Sequence, residues 1–168
     1  MRVTVTGTPG TGKTTATERV ETDLDVVHLN QLIEDERLYT EVDEERDSKV
    51  ADLEAIRERL DGQDDILVES HLAHLLDVDR VVVLRCAPAD LEARLTERGE
   101  PERKAGENAE SEALDVILGE AVQVHGESAV YEIDTTDRDP DAVAADIEAA
   151  IAGDRDSSAG DVDFTDYL

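Results

Sequence analysis

The sequence predicts an α/β fold: a P-loop domain with a five-stranded parallel sheet and helices on both faces. Three observations predict it. Short β-branched runs alternate with stretches of helical apolar spacing along 168 residues, which implies βαβ units with right-handed crossovers. The first run ends directly in "GTPGTGKTT" (7–15), which fits G-x-x-x-x-G-K-[ST] through Gly7, Gly12, Lys13 and Thr14. The run "RVVVLRC" (80–86) is almost continuously apolar, as a central parallel strand buried on both faces should be.

The elements follow in order. Residues 2–7 alternate β-branched side chains and stop at a glycine, reading as a buried strand that feeds the phosphate loop. A helix is expected over 13–21 and a second strand over 25–29. Residues 30–51 are polar and poorly periodic, an excursion with no clear element and an expected mobile character. Val50, Leu53, Ile56 and Leu60 stand at helical spacing over 50–60. "DILVES" (65–70) reads as the third strand and 80–86 as the fourth. Residues 88–99 form a helix with Pro88 near its first turn and Gly99 at its end. A polar connector (100–106) precedes a longer helix over about 108–124. The fifth strand is expected over 129–136 and a last helix over 139–153. From 154 onward the Ser, Gly and Asp content predicts a loose acidic tail. Repeats and an interdomain linker are absent, so the whole of 1–168 reads as one domain. Ligands should sit at the carboxyl ends of the strands.

The chemistry begins at the loop. Its glycines let backbone N–H groups turn inward around phosphate oxygens, and the following helix points its positive end at the same anion. Lys13 reaches the β and γ phosphates of a nucleotide, the Thr14 hydroxyl is a Mg²⁺ ligand, and Thr15 is placed for a further phosphate contact. A chance glycine-rich turn is the bland alternative, but the strand before and helix after are the context the motif demands. In such an enzyme a carboxylate at a neighbouring strand end holds the metal's water shell. Glu69, at the end of "ILVE", is the candidate. His71 follows two residues later, either orienting a water or a leaving group or merely capping the turn. His74 reads as packing or surface. Phosphoryl transfer also needs cations around the γ oxygens. Arg85 ends a core strand, where a buried guanidinium requires a facing anion, either a ligand or a structural acid. Arg94 and Arg98 share one helical face. Arg98, Arg103 and Lys104 can close over phosphates as a lid, or simply form helix salt bridges with Glu92 or Glu97.

Composition narrows the setting. The chain carries 44 Asp plus Glu against 16 Lys plus Arg, a net charge of −28, with only Lys13, Lys49 and Lys104 as lysines. Such a surface repels itself at low salt. At about 1 M salt the Debye length falls to roughly 3 Å and the repulsion is screened. Acid spread along the whole chain, scarce lysine and four aromatics fit a halophilic cytoplasmic protein; an acidic protein with a basic partner is the alternative. Direct strong nucleic-acid binding, which needs a basic footprint, is not expected. With one cysteine, Cys86, no internal disulfide forms. No apolar run approaches the roughly 18 residues of a membrane span, and the N-terminus does not read as a signal peptide.

Taken together, "GTPGTGKTT", "LYTEVDEERD", "ILVESHL", "VVLRCAPADLEARLTERG", "KAGENAESE" and "EIDTT" resemble the small adenylate kinase family known as adenylate kinase isoenzyme 6, over roughly nine-tenths of the chain. The resemblance implies a broad-specificity nucleoside monophosphate kinase, with ATP and Mg²⁺ as cofactors, AMP or another monophosphate as acceptor, and accompanying ATPase activity. It also implies a role in late small-subunit ribosome maturation near the 3′ end of the rRNA, with a ribosomal protein of the subunit platform as partner. By that resemblance Gly10, Gly12, Lys13, Thr14 and Thr15 match the ATP-phosphate loop and residues 30–53 the monophosphate-binding segment. Residues 97–107 match the lid and Arg98 its ATP-touching arginine. Glu69 and His71 match a carboxylate-x-His motif linked to metal binding and ATP hydrolysis. Many members have Asp where this chain has Glu69 and lack the following "LAHLL". The monophosphate segment holds only two arginines, Arg37 and Arg46.

Overall fold

The computed structural model describes residues 1–45 and 48–168. Its centre is β1 (Arg2–Thr6), whose residues Val3, Thr4, Val5 and Thr6 are wholly buried because both faces of the strand are covered. β1 pairs in parallel with β5 (Ile66–Glu69) on one side and β6 (Arg80–Arg85) on the other. β2 (Asp25–His28) lies outside β5 and β7 (Val130–Asp134) outside β6, giving the order β2-β5-β1-β6-β7 with every pairing parallel. This is the five-stranded parallel sheet that the sequence predicts. From β1 the chain runs to the edge strand β2, returns to insert β5 between the two, and then crosses to the other side to add β6 and β7. The carboxyl end of β1 is therefore the switch point at which such sheets hold ligands.

Helices cover both faces. On one, α1 (Lys13–Thr17) and α7 (Pro140–Ala152) bury Ala16, Val143 and Ile147 against Val3, Val5 and Val82. On the other, α2 (Leu29–Glu36) and α3 (Leu53–Leu60) pack Leu29, Ile56 and Leu60 on Ile66 and Val68. Beside them α6 (Val116–His125) sets Leu118 and Ala121 on Val81 and Val83. Beyond the sheet end, α4 (Pro88–Glu97) and α5 (Glu102–Ala113) enclose Cys86 with Leu91, Leu95, Ala105 and Ala109. Asp52 starts α3 by accepting the Ala55 N–H, and Asp139 starts α7 by accepting the Asp141 N–H.

The structure corrects four sequence expectations. Residues 30–51 are not an elementless excursion: they form α2 and an antiparallel hairpin of β3 (Tyr39–Asp43) and β4 (Ser48–Ala51). A two-stranded ribbon buries little, so its sequence stays polar. Val50 consequently belongs to β4, and α3 begins only at Leu53. The polar connector is mostly helix, since α5 begins at Glu102. The helix expected over 108–124 breaks instead into α5 and α6 at Leu114–Asp115, where Asp115 takes a left-handed φ of 56°. The tail is not loose. The Ser158 N–H donates to the Val130 carbonyl, Arg155 donates to the Glu132 carbonyl, and the Tyr167 hydroxyl donates to Glu92 at 2.8 Å. β7 is an edge strand, and the first two of these contacts reach carbonyls along its open side, while the third ties the tail to α4.

Salt enters at this level. With net charge −28 outside a core of modest size, stability is expected to rise with KCl as the surface repulsion is screened. A thermal melt from about 0.1 M to about 3 M KCl should move the midpoint upward by more than about 10 °C, an order-of-magnitude expectation for relief of several kcal/mol. A midpoint indifferent to salt overturns this.

Candidate functional site

The site grows out of the carboxyl end of β1. Gly7 has no room for a side chain: a Cβ there would stand 2.6 Å from the Leu84 carbonyl oxygen. Gly10 and Gly12 hold φ of 95° and 93°, the left-handed region that favours glycine. The loop so formed folds around Lys13, which is 8 % exposed and donates from Nζ to the carbonyls of Gly7 (3.0 Å) and Thr8 (3.2 Å). Burial lowers its pKa from 10.5 to about 8, and Arg98 pushes in the same direction while Glu69 opposes. A buried cation facing only carbonyl oxygens at the mouth of a glycine loop is arranged to receive an anion.

Parallel pairing brings the carboxylate to the loop. Val5 stands opposite Glu69 and His28 opposite Glu69 on the other side, so three strand ends converge. The Thr14 hydroxyl donates to Glu69 Oε1 at 3.2 Å, and His28 Nδ1 lies 3.0 Å from Oε2. Glu69 is 5 % exposed. Two hard oxygen donors, Thr14 Oγ1 and Glu69 Oε1, thus meet beside Lys13, a donor set that suits Mg²⁺.

Two cavities flank the loop. The larger, about 670 Å³, is bounded by Thr8 and Pro9 of the loop, Asn30 and Glu34 of α2, Lys49 and His71, with Arg103 and Lys104 of α5 opposite. Burial and the nearby Lys13 lower the His71 pKa to about 4, so its ring is neutral. The smaller, about 240 Å³, lies on the other side, between Gly12, Thr15, Arg94, Thr135 and Arg138. Arg94 also donates to the Gly10 carbonyl at 3.3 Å. Arg98, the C-cap of α4, is exposed. Arg103 and Lys104 pair with Glu107 (3.7 Å) and Glu100 (3.4 Å). Arg37 caps α2 with a left-handed φ of 55°, and Arg46 lies outside the described residues.

Arg85 lines neither cavity. It is 1 % exposed and is held by acids: Nε to Glu112 Oε1 (3.1 Å), Nη1 to Glu132 Oε2 (2.7 Å), Nη2 to Asp115 Oδ1 (2.5 Å) and to the Glu112 carbonyl (3.0 Å). Of the two alternatives open for a buried guanidinium, structural acids win. Burial works against its charge and the three carboxylates outweigh it, raising its pKa. His74 is buried, with Nδ1 2.9 Å from the Thr6 hydroxyl and Nε2 3.1 Å from Glu120.

Sequence reasoning missed His28, Glu112, Thr135 and Arg138. His28 lies 41 residues from Glu69, and only the β2–β5 pairing joins them. Arg138 had a usable signal, since it follows the fifth strand's carboxyl end.

Comparison with known proteins decides the family. A family profile described as an AAA domain matches residues 3–115. A relative from Halobacterium salinarum (strain ATCC 29341 / DSM 671 / R1), named "Putative adenylate kinase", is 63% identical and covers 100% of both chains. Proteins of the same name from Natronomonas pharaonis and Methanocaldococcus jannaschii are 64% and 38% identical, covering 100% of this chain and 100% and 97% of theirs. The chain belongs to this adenylate kinase family. Its fold recurs more widely. A shikimate kinase from Bacteroides thetaiotaomicron superposes with a TM-score of 0.58 at 16% identity, over 91% of this chain and 98% of that one. A deoxyadenosine kinase from M. mycoides gives 0.57 at 12%, over 92% and 100%. A sulfotransferase from Alicyclobacillus acidocaldarius gives 0.59 at 12%, over 98% and 86%. These likenesses place the family on a P-loop kinase fold, and the sulfotransferase among them shows why the chemistry must be argued from the site. Among the described residues no helix is long and apolar enough to cross a membrane.

Proposed function

We propose that this family member transfers the γ-phosphoryl group of ATP to a nucleoside monophosphate, AMP by default, in the cytoplasm, and that it belongs to the isoenzyme 6 branch. The observation that carries the reading is that one loop borders two cavities, the larger through Thr8 and Pro9 and the smaller through Thr11, Gly12 and Thr15, with Lys13 buried against the loop's own carbonyls. The smaller seats the donor nucleoside between Arg94 and Arg138; the larger seats the acceptor. Lys13 and the loop amides of Gly10 and Gly12 clamp the donor phosphates, and Thr15 adds a contact. Thr14 and Glu69 hold Mg²⁺, which when bound neutralises phosphate charge. The acceptor's own phosphate oxygen is the nucleophile, so the protein contributes positioning, charge and exclusion of water. Residues 97–107 act as the lid over the larger cavity, carrying Arg98 to the transferring group, and residues 30–53 bind the monophosphate.

A second reading has its own support. The larger cavity is lined by Glu34, Glu100, Glu107 and Glu120 as well as by cations, and a neutral His71 stands in it two residues from Glu69. An ATPase that acts on a basic protein partner fits those features. The ribosome-maturation role and the platform protein partner, implied by the isoenzyme 6 resemblance, belong to this reading.

The test is ADP production from Mg-ATP in molar KCl, with and without AMP. Conversion of AMP with two ADP formed per ATP is the expected result. ADP and free phosphate formed equally in the absence of AMP would move the ATPase reading to first place.

A further inference from the structure

The phosphate loop touches one carboxylate that the phosphotransfer chemistry does not use. Glu112, at the end of α5 and 3 % exposed, accepts from the Thr8 hydroxyl at 3.2 Å and from Arg85 Nε through the same oxygen, while its other oxygen accepts the Cys86 N–H at 2.8 Å. Burial raises its pKa and Arg85 works against that rise. An acid so close to a phosphate seat opposes anion binding through its charge, so its place needs a reason.

Thr8 supplies one. Its carbonyl is the point where Lys13 Nζ (3.2 Å), the Thr11 N–H (3.2 Å) and the Thr11 hydroxyl (2.8 Å) converge. Gly7, Gly10 and Gly12 leave the loop little restraint of their own, so the orientation of Thr8 sets the position of the lysine. Glu112 is in turn held from behind. Arg85 ties it to Glu132, and Glu132 Oε1 accepts the N–H groups of Gly160 and Asp161 in the C-terminal segment. Phe164 of that segment lies over the Arg85 guanidinium at 5.4 Å. One chain of contacts therefore runs from the tail through Glu132, Arg85 and Glu112 to Thr8.

We propose that Glu112 is a positioning residue for the phosphate loop, and that the C-terminal segment, by seating Glu132 and Arg85, holds Glu112 in place and so tunes the affinity for ATP. The inference rests on the reading of the loop as the ATP seat.

The test uses the full-length chain in molar KCl. Glu112→Gln removes the charge and leaves one acceptor in place of two, so that its NH2 faces a donor on one side, either the Cys86 N–H or Arg85 Nε. Thr8→Val removes the hydroxyl and Thr8→Ser keeps it. Gly160→Pro removes one tail N–H from Glu132 and, because proline cannot adopt the φ of 93° held by Gly160, unseats the tail at that point as well. Steady-state kinetics are read separately for ATP and AMP, and the Kd of a non-hydrolysable ATP analogue is measured without turnover. Glu112→Gln is expected to raise the KM and Kd on the ATP side about tenfold, leaving the KM for AMP unchanged; Thr8→Val, at a residue that also bounds the larger cavity, is read by the Kd of the ATP analogue in the absence of AMP, expected to rise about tenfold. Thr8→Ser should restore the parent values, and Gly160→Pro should raise the same two constants by about threefold. Simple destabilisation would lower the active fraction, and hence kcat, without dividing the two nucleotides. Should Glu112→Gln fail to fold, the Thr8 pair decides alone. An unchanged Kd for the ATP analogue in Thr8→Val, or equal rises of KM for both nucleotides in Glu112→Gln, overturns the proposal. A parent protein that binds no ATP analogue overturns the reading of the loop instead, and the inference with it.

Discussion

Replacing Lys13 with alanine is expected to abolish turnover, lowering ADP formation by roughly a thousandfold, while leaving the melting midpoint no lower than that of the parent. The two halves have one cause. Lys13 is buried among carbonyl oxygens, and burial lowers its pKa from 10.5 to about 8. Converted at 1.36 kcal/mol per unit, the folded protein bears a charge-burial cost on the order of 3 kcal/mol. The hydrogen bonds to Gly7 and Thr8 offset part of that cost. Alanine removes both the cost and the bonds, so little stability changes. On the proposed function it also removes the cation that meets the transferring phosphates, and loss of one such group typically costs about two to three orders of magnitude. Coupled-enzyme measurement of ADP, with a melt in the same KCl buffer, checks both halves. Retained turnover would refute the site. Lost turnover together with a much lower midpoint would assign the lysine a structural duty instead.

Legibility in the sequence followed the range of the interactions. Strands β1, β5 and β6 were readable because each carries its own signal, a β-branched or aliphatic run buried on both faces. The phosphate loop was readable because its strand, glycines, lysine and helix are contiguous. The juxtaposition of Thr14 with Glu69 follows from strand ends alone. What failed was set by partners far along the chain. Arg85 drew attention correctly as a buried cation, but its counter-charges at Glu112, Asp115 and Glu132 lie 27, 30 and 47 residues away and carry no local mark. The same guanidinium meets the break between α5 and α6, where Asp115 holds a φ of 56° and its Oδ1 accepts from Nη2. The tail was misread because its composition signals disorder, while its order depends on a free sheet edge at β7 and on backbone N–H groups that composition does not describe. The β3–β4 hairpin hid because a ribbon with two polar faces lacks the alternation that marks a half-buried strand.

Arg85→Ala should destabilise the protein by about 3–5 kcal/mol, the cost of breaking a buried ion pair from one side. The expectation is at the upper end, because the substitution leaves Glu112 and Glu132 buried and facing each other without their shared cation, with Asp115 beside them. Arg85→Lys should recover little. A single ammonium cannot satisfy three carboxylates reached by three different guanidinium nitrogens. Salt separates this effect from the repulsion at the surface. Exposed charges are screened within about 3 Å at 1 M salt, whereas Arg85, Glu112 and Glu132, 1–3 % exposed, have no solvent through which ions can screen them; of the cluster only Asp115, 37 % exposed, meets the solvent. Added KCl should therefore raise the stability of parent and variant in parallel, leaving the difference between them intact. Urea titrations at low and high KCl measure that difference directly. A gap that closes in molar salt, or one below about 1 kcal/mol at both concentrations, would mean that the cluster is solvated and that Arg85 is an ordinary surface partner.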